Sequence, residues 1–193
     1  MKKLFLIAAI ILSANVIANA QLKFGIKAGA NFASINLTDD KMLLGYHGGF
    51  LAQIKFANFG IQPEVLFSIQ GAGMKDFSIS DMNVKLNYIN VPVMLQYYVI
   101  PKLLAIELGP QFGILLSAKS TDTIERERST ETDIKENSNT IDFSACGGLS
   151  FQLPIIPLGI FARYTLGFTN IKKDAGDDAG KNHVIQIGAF FKF

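Results

Sequence analysis

The sequence predicts an all-β protein: an eight-stranded antiparallel up-and-down β-barrel that crosses a membrane and follows an N-terminal signal peptide. Three observations predict it. Eight segments alternate apolar and polar residues at period two, their connections alternate short and long, and a basic, apolar leader precedes them. In hydrocarbon every backbone polar group must pair within the protein, so spanning strands have to close on themselves. Such strands turn one face to lipid and the other to the interior, which produces the alternation.

The leader comes first. Lys2 and Lys3 form a basic start, and Leu4 to Ala14 carries no charge. Ala18-Asn19-Ala20 supplies the small-x-small pattern for cleavage before Gln21. The apolar stretch is short for the roughly 20 residues of a spanning helix. Gln21 stands where a lipid anchor would need cysteine. The expected domains are a signal peptide at 1–20 and a barrel domain at 21–193.

Of 18 Lys and Arg the leader takes two, leaving 16 against 16 Asp and Glu. A balanced chain has no basic surplus to attract nucleic acid. The single Cys146 excludes an internal disulfide and a cysteine zinc cluster. The nearest approach to a continuous apolar run is Phe143 to Ala162, which contains Gly147, Gly148, Pro154 and Pro157. Those residues break a helix.

The first segment, Leu22 to Ala33, sets Lys23, Lys27 and Asn31 against Phe24, Ile26, Ala28 and Phe32. The second runs from about Gly45 to Phe56, and Ala57-Asn58 turns tightly into the third. There, from Phe59 to Gln70, Gln62, Glu64 and Ser68 oppose Ile61, Val65, Phe67 and Ile69. The fourth, Val84 to Val99, has two consecutive apolar residues at Tyr88-Ile89, where a β-bulge is expected. Ile100-Pro101-Lys102 turns into the fifth, Leu103 to Ser117. The sixth, Thr140 to Leu153, alternates without a break: Phe143, Ala145, Leu149 and Phe151 on one face, Asp142, Ser144, Cys146 and Ser150 on the other. Pro154 to Pro157 turns into the seventh, Leu158 to Thr169, and the eighth runs from His183 to Phe193. Pro63, Pro92 and Pro110 fall inside segments; proline cannot donate to a ladder, so local bulges are expected around them.

Ser34 to Leu44, Gly71 to Asn83, Ala118 to Asn139 and Asn170 to Asn182 are the long, polar connections. In outer-membrane barrels the short turns face the periplasm and the long loops face outside. An exported chain of this kind is expected in the outer membrane, with its first and last strands pairing to close the ring. The soluble alternative, a lipocalin-like barrel, turns its apolar face inward, and periodicity alone does not separate the two. Charge placement favours the membrane form. Lys27, Lys55, Glu64, Glu107 and Arg163 share the polar face, and charges inside a narrow barrel must pair. They are the expected structural interior charges, forming one network that seals the lumen.

The fourth segment, Leu86-Asn87-Tyr88-Ile89-Asn90-Val91-Pro92-Val93-Met94-Leu95-Gln96-Tyr97, resembles a strand of the PorT-type outer-membrane β-barrel family, small OmpA/OmpX-like barrels of Gram-negative bacteria. Leu108-Gly109-Pro110-Gln111-Phe112-Gly113-Ile114-Leu115-Leu116-Ser117-Ala118 resembles the strand that follows in that family. Weaker likenesses lie at Gly25 to Asn31, Gln62 to Ser68 and Arg163 to Ile171. The resemblance implies an outer-membrane location and carries Pro92 and Pro110 as ordinary members. It implies no single activity.

No residue pattern points to catalysis, a cofactor or a metal. His47 and His183 are the only histidines, and neither has a serine at an offset that places both on one strand face. Asp39-Asp40 and Asp177-Asp178 match no calcium-loop spacing. Glu125-Arg126-Glu127-Arg128 suits either a ribbon extending the fifth and sixth segments or a solvated loop. The expected function is a non-enzymatic anchor or interaction platform that displays four external loops. A lipid-modifying enzyme or a small channel is the alternative. Expected partners are outer-membrane lipids, the barrel-assembly machinery through Phe193, and a protein or ligand at the loops.

Overall fold

Antiparallel pairing joins each strand to its neighbours in one closed ring. A computed structural model describes residues 21–34, 41–75, 80–124, 128–133, 139–170 and 181–193. The expected leader at 1–20, the acidic pairs Asp39-Asp40 and Asp177-Asp178, and residues 125–127 lie outside the described residues. The strands are β1 (Gln21–Ser34), β2 (Lys41–Phe56), β3 (Phe59–Lys75), β4 (Ser80–Ile100), β5 (Leu104–Ile124), β6 (Arg128–Asp133), β7 (Ile141–Gln152), β8 (Leu158–Asn170) and β9 (Lys181–Lys192). Their order is β4-β3-β2-β1-β9-β8-β7-β5-β6, and a further β4–β5 pairing closes the ring. All but β6 are staves of an eight-stranded barrel. The seam joins β1 to β9, from Gly25 opposite Lys192 to Ser34 opposite His183. Beyond it the Phe193 amide donates to the Phe24 carbonyl at 2.8 Å.

The apolar face points outward. Phe24 is 52% exposed and Phe50 70%, while Lys27 on the inner face is 3% exposed. Every stave presents such side chains outward, among them Phe67, Leu95, Leu108, Phe143, Ile160 and Ile187. A ring of exposed apolar residues this continuous belongs in lipid. The soluble, apolar-inside alternative is excluded.

Two details differ from the sequence reading. Asn87 pairs with Ser117 but Tyr88 pairs with Leu115, so the extra residue is Leu116, on β5. The alternation of β4 is unbroken: Tyr88 turns inward and packs with Leu86, Leu115 and Ala118. An apolar side chain in the lumen produced the apparent slip. The prolines do not sit at bulges either. Pairs are missing beside them, between Leu51–Glu64 and Ile54–Ile61, Pro63–Val93 and Leu66–Asn90, and Pro92–Gln111 and Leu95–Leu108. Register is the same on both sides of each gap. A bulge would have thrown the following side chains onto the wrong face, whereas an omitted pair does not.

On the long-loop side β3, β4 and β5 run past their expected ends. Ladder hydrogen bonds persist after the lipid-driven alternation stops, so periodicity underestimates strand length there. β6 folds back on β5, from Ile124 opposite Arg128 to Lys119 opposite Asp133. The ribbon there pairs extended β5 with β6, both lying before β7, and of the Glu125-Arg126-Glu127-Arg128 run only Arg128 falls among the described residues.

Candidate functional site

The inward parity of β1, β3, β5 and β8 carries Lys27, Glu64, Glu107 and Arg163. These strands are alternate staves, so the four side chains reach into the lumen from around its circumference. Lys27 Nζ donates to Glu64 Oε1 and Oε2 at 3.0 and 3.2 Å. Arg163 grips the same carboxylate with two prongs, Nη1 to Oε2 at 3.0 Å and Nη2 to Oε1 at 2.9 Å. Its Nη2 also donates to Glu107 Oε2 at 3.1 Å. Gln62 and Gln96 donate amides to Glu64 Oε1 and Glu107 Oε1, both at 2.7 Å. Lys27 Nζ sits 3.7 Å over the Phe161 ring.

Two cations meet two anions, so the tetrad is electrically neutral. Its side chains are 0–2% exposed. Water-sized spheres barely reach them, so the four side chains are packed inside the barrel. Glycines on the intervening staves make room. Gly49 lies opposite Lys27, and Gly148 lies opposite both Glu107 and Arg163. A Cβ on Gly148 would stand 2.3 Å from the Ala162 carbonyl oxygen and 2.8 Å from the Arg163 Cα.

Lys55 does not join them. It pairs with Gln21 and Gly60 at the short-turn end, whereas Gly49 is the β2 partner of Lys27. The six intervening steps amount to about 20 Å of strand, beyond the reach of a lysine side chain. Its Nζ lies 3.6 Å over the Tyr98 ring instead.

Amides fill the layers on either side, and sequence reasoning named few of them. Gln53 Nε2 donates to Gln96 Oε1 at 2.5 Å and to Tyr98 Oη at 2.8 Å. Asn31 Nδ2 donates to Ser68 Oγ at 2.9 Å, and Asn182 donates to Gln70. The usable signal was parity: each of these residues falls on the polar face of its strand.

The histidines stand on opposite sides of the wall. His47 is buried in the lumen, with Nδ1 2.7 Å from Asn31 Oδ1 and its ring edge-on to Phe161. His183 faces outward, with Nδ1 2.9 Å from Tyr164 Oη. Cys146 faces inward, its Sγ 3.3 Å from Thr165 Oγ1.

Comparison with known proteins follows the same lines. The family described as outer membrane protein beta-barrel domain matches residues 15–173. No curated protein matches the chain. The structure is similar to Neisserial surface protein A, at 14% identity and TM-score 0.54 over 90% of this chain and 99% of that one. A major outer membrane protein from Thermus thermophilus gives 13% identity and TM-score 0.54 over 89% and 99%. Ail, the attachment invasion locus protein of Yersinia pestis, gives 16% and 0.51 over 91% and 99%. Identities this low establish a shared fold and say nothing of shared roles. A closed ring of eight staves with a lipid-facing apolar surface and the match over 15–173 together show that the chain belongs to the outer membrane protein β-barrel domain family, in the outer membrane.

Proposed function

We propose that this protein is a non-enzymatic anchor of a Gram-negative outer membrane and an interaction platform for a partner at its external loops. The observation that carries the reading is the neutral tetrad packed inside the lumen, with Lys27, Glu64, Glu107 and Arg163 as structural interior charges. A barrel so filled offers its ends, and the long-loop end is the built one: β3, β4 and β5 continue there and β6 adds a hairpin. Against an enzyme stands the setting of the two histidines, His47 hydrogen-bonded to the Asn31 amide and His183 to the Tyr164 hydroxyl. The likeness of β4 and β5 to PorT-type strands supports that branch of the family. The outward-facing Phe191 and Phe193 at the end of the last strand support recognition by the barrel-assembly machinery. The leader at 1–20 would be cleaved before Gln21, and the short turns would face the periplasm.

Two measurements test this. Purified protein in planar bilayers is expected to give no steady conductance; a stable, ohmic channel would refute the closed anchor. A tag inserted at Arg126, between β5 and β6, is expected to be reached by antibody on intact cells. Labelling only after permeabilisation would invert the topology. Pull-downs from native membranes with residues 119–133 deleted would then identify what the hairpin holds.

A further inference from the structure

The short-turn end of the barrel holds a feature that loop display does not use. A cavity of about 550 Å³ opens there, lined by Lys23, Lys55, Lys102 and Lys192 and flanked by Ile155 and Ile156 of the turn between β7 and β8. Its size lies within the roughly 300–1,000 Å³ of small-molecule sites. No Asp or Glu lines it, and among the described residues none of the four amines forms an ion pair. The contrast with the tetrad is informative. Deeper in the same lumen the tetrad pairs two cations with two anions; at this mouth four amines line one cavity with no carboxylate side chain among its lining residues.

Two of the amines are also held in place. Lys55 lies 3.6 Å over the Tyr98 ring and Lys192 lies 4.4 Å over the Phe190 ring. Lys192 is only 5% exposed, so its charge has left most of its water. Lys102 occupies left-handed backbone, with φ 66°, in the turn between β4 and β5. Lys102 is exposed there and lines the cavity from the turn, free to bring its amine to an anion. Lysine is a point-charge partner for phosphate, and a partly enclosed group of them strengthens the attraction.

We propose that this vestibule binds a phosphate-bearing anion. Two sources supply that chemistry: the headgroup of an anionic phospholipid in the adjoining leaflet, or a soluble phosphate ester. Ile155 is 92% exposed at the lip, and an apolar tip beside basic groups suits the boundary between headgroups and acyl chains. The site is independent of any partner at the loops.

The test uses the full mature chain in a non-ionic detergent, with inorganic pyrophosphate as probe in titration calorimetry. Saturable binding that weakens with salt is expected. The double variant Lys55→Gln/Lys102→Gln is expected to weaken it at least tenfold, while Lys181→Gln at the opposite end leaves it unchanged. Heat-modifiable gel mobility checks that each variant is folded. Absence of saturable binding in the wild type, or equal loss in Lys181→Gln, overturns the proposal. Repeating the titration in phosphatidylcholine nanodiscs with and without phosphatidylglycerol separates the sources. Competition by phosphatidylglycerol that the double variant abolishes identifies a headgroup; equal affinity in both bilayers identifies a soluble ester.

Discussion

Arg163 and Glu64 lie 99 residues apart in sequence and form a two-pronged ion pair across the lumen, at 3.0 and 2.9 Å. Both side chains are 0% exposed. Breaking one partner of such a pair leaves a buried charge without compensation, which costs about 3–5 kcal/mol, while replacing both by apolar groups costs far less. Arg163→Met is therefore expected to destabilise the barrel by that amount. Glu64→Leu/Arg163→Met is expected to recover most of the loss, because Lys27 and Glu107 remain as one cation and one anion. Urea unfolding followed by circular dichroism measures this; the chain has no tryptophan to report by fluorescence. A double variant no better than the single would mean the tetrad is not one electrostatic unit.

The two carboxylates are not equivalent. Glu64 accepts from Lys27, from both ends of the Arg163 guanidinium and from Gln62. Glu107 accepts one bond from Arg163, one from Gln96 and one from the Ser150 hydroxyl, and none from Lys27. Hydrogen bonds to charged groups contribute roughly 1.5–3 kcal/mol each. Glu107→Ala is expected to lower stability by about 3 kcal/mol, the low end for breaking a buried pair because Arg163 keeps Glu64, and so less than Glu64→Ala, with conductance still absent. The reverse order in unfolding midpoints, or a conducting Glu107→Ala barrel, would count against a shared lock centred on Glu64.

The architecture was readable because a membrane barrel writes its geometry at period two. Thr140 to Leu153 shows both faces without interruption, and β7 occupies 12 of those positions. Charge parity likewise put Lys27, Glu64, Glu107 and Arg163 on the inner face. Parity carries no height along the barrel axis, which is why Lys55 was grouped with charges about 20 Å away. Tyr88 misled for a related reason: an inward aromatic looks like a register slip when only polarity marks the interior. The hairpin of β6 lacks an apolar face altogether, so its sequence did not distinguish strand from loop. The lysine vestibule gathers residues from β1, β2, β9 and a turn, and no local pattern links them.

The turn between β2 and β3 carries a removable strain. Phe56 pairs with Phe59, leaving Ala57 and Asn58 as a two-residue loop, and Ala57 has φ 50°. That left-handed position costs a residue with a Cβ about 1 kcal/mol relative to glycine. Ala57→Gly is expected to raise stability by about that much, without altering the lumen. A destabilised Ala57→Gly barrel, read from the urea midpoint, would show that the gain in unfolded-chain entropy exceeds the relief of strain.

Two Gly-Gly pairs supply the sharpest test of which face is which. In each, the second glycine faces the lumen and the first faces lipid. A Cβ on Gly148 would meet the Ala162 carbonyl oxygen at 2.3 Å, and one on Gly49 would meet the Val65 carbonyl oxygen at 1.9 Å. On Gly147 the nearest atom would be 3.7 Å away, and on Gly48 also 3.7 Å. The close contacts are with backbone, which cannot rotate aside. Overpacking of this kind costs typically about 1–3 kcal/mol. Gly148→Ala and Gly49→Ala are therefore expected to be destabilising by that amount, and the first also displaces the Arg163 backbone against Glu107. Gly147→Ala and Gly48→Ala, adjacent in sequence and facing lipid, are expected to fold with stability close to wild type. Equal penalties within each pair, measured by the same urea unfolding, would reverse or erase the assignment of inner and outer faces on β2 and β7.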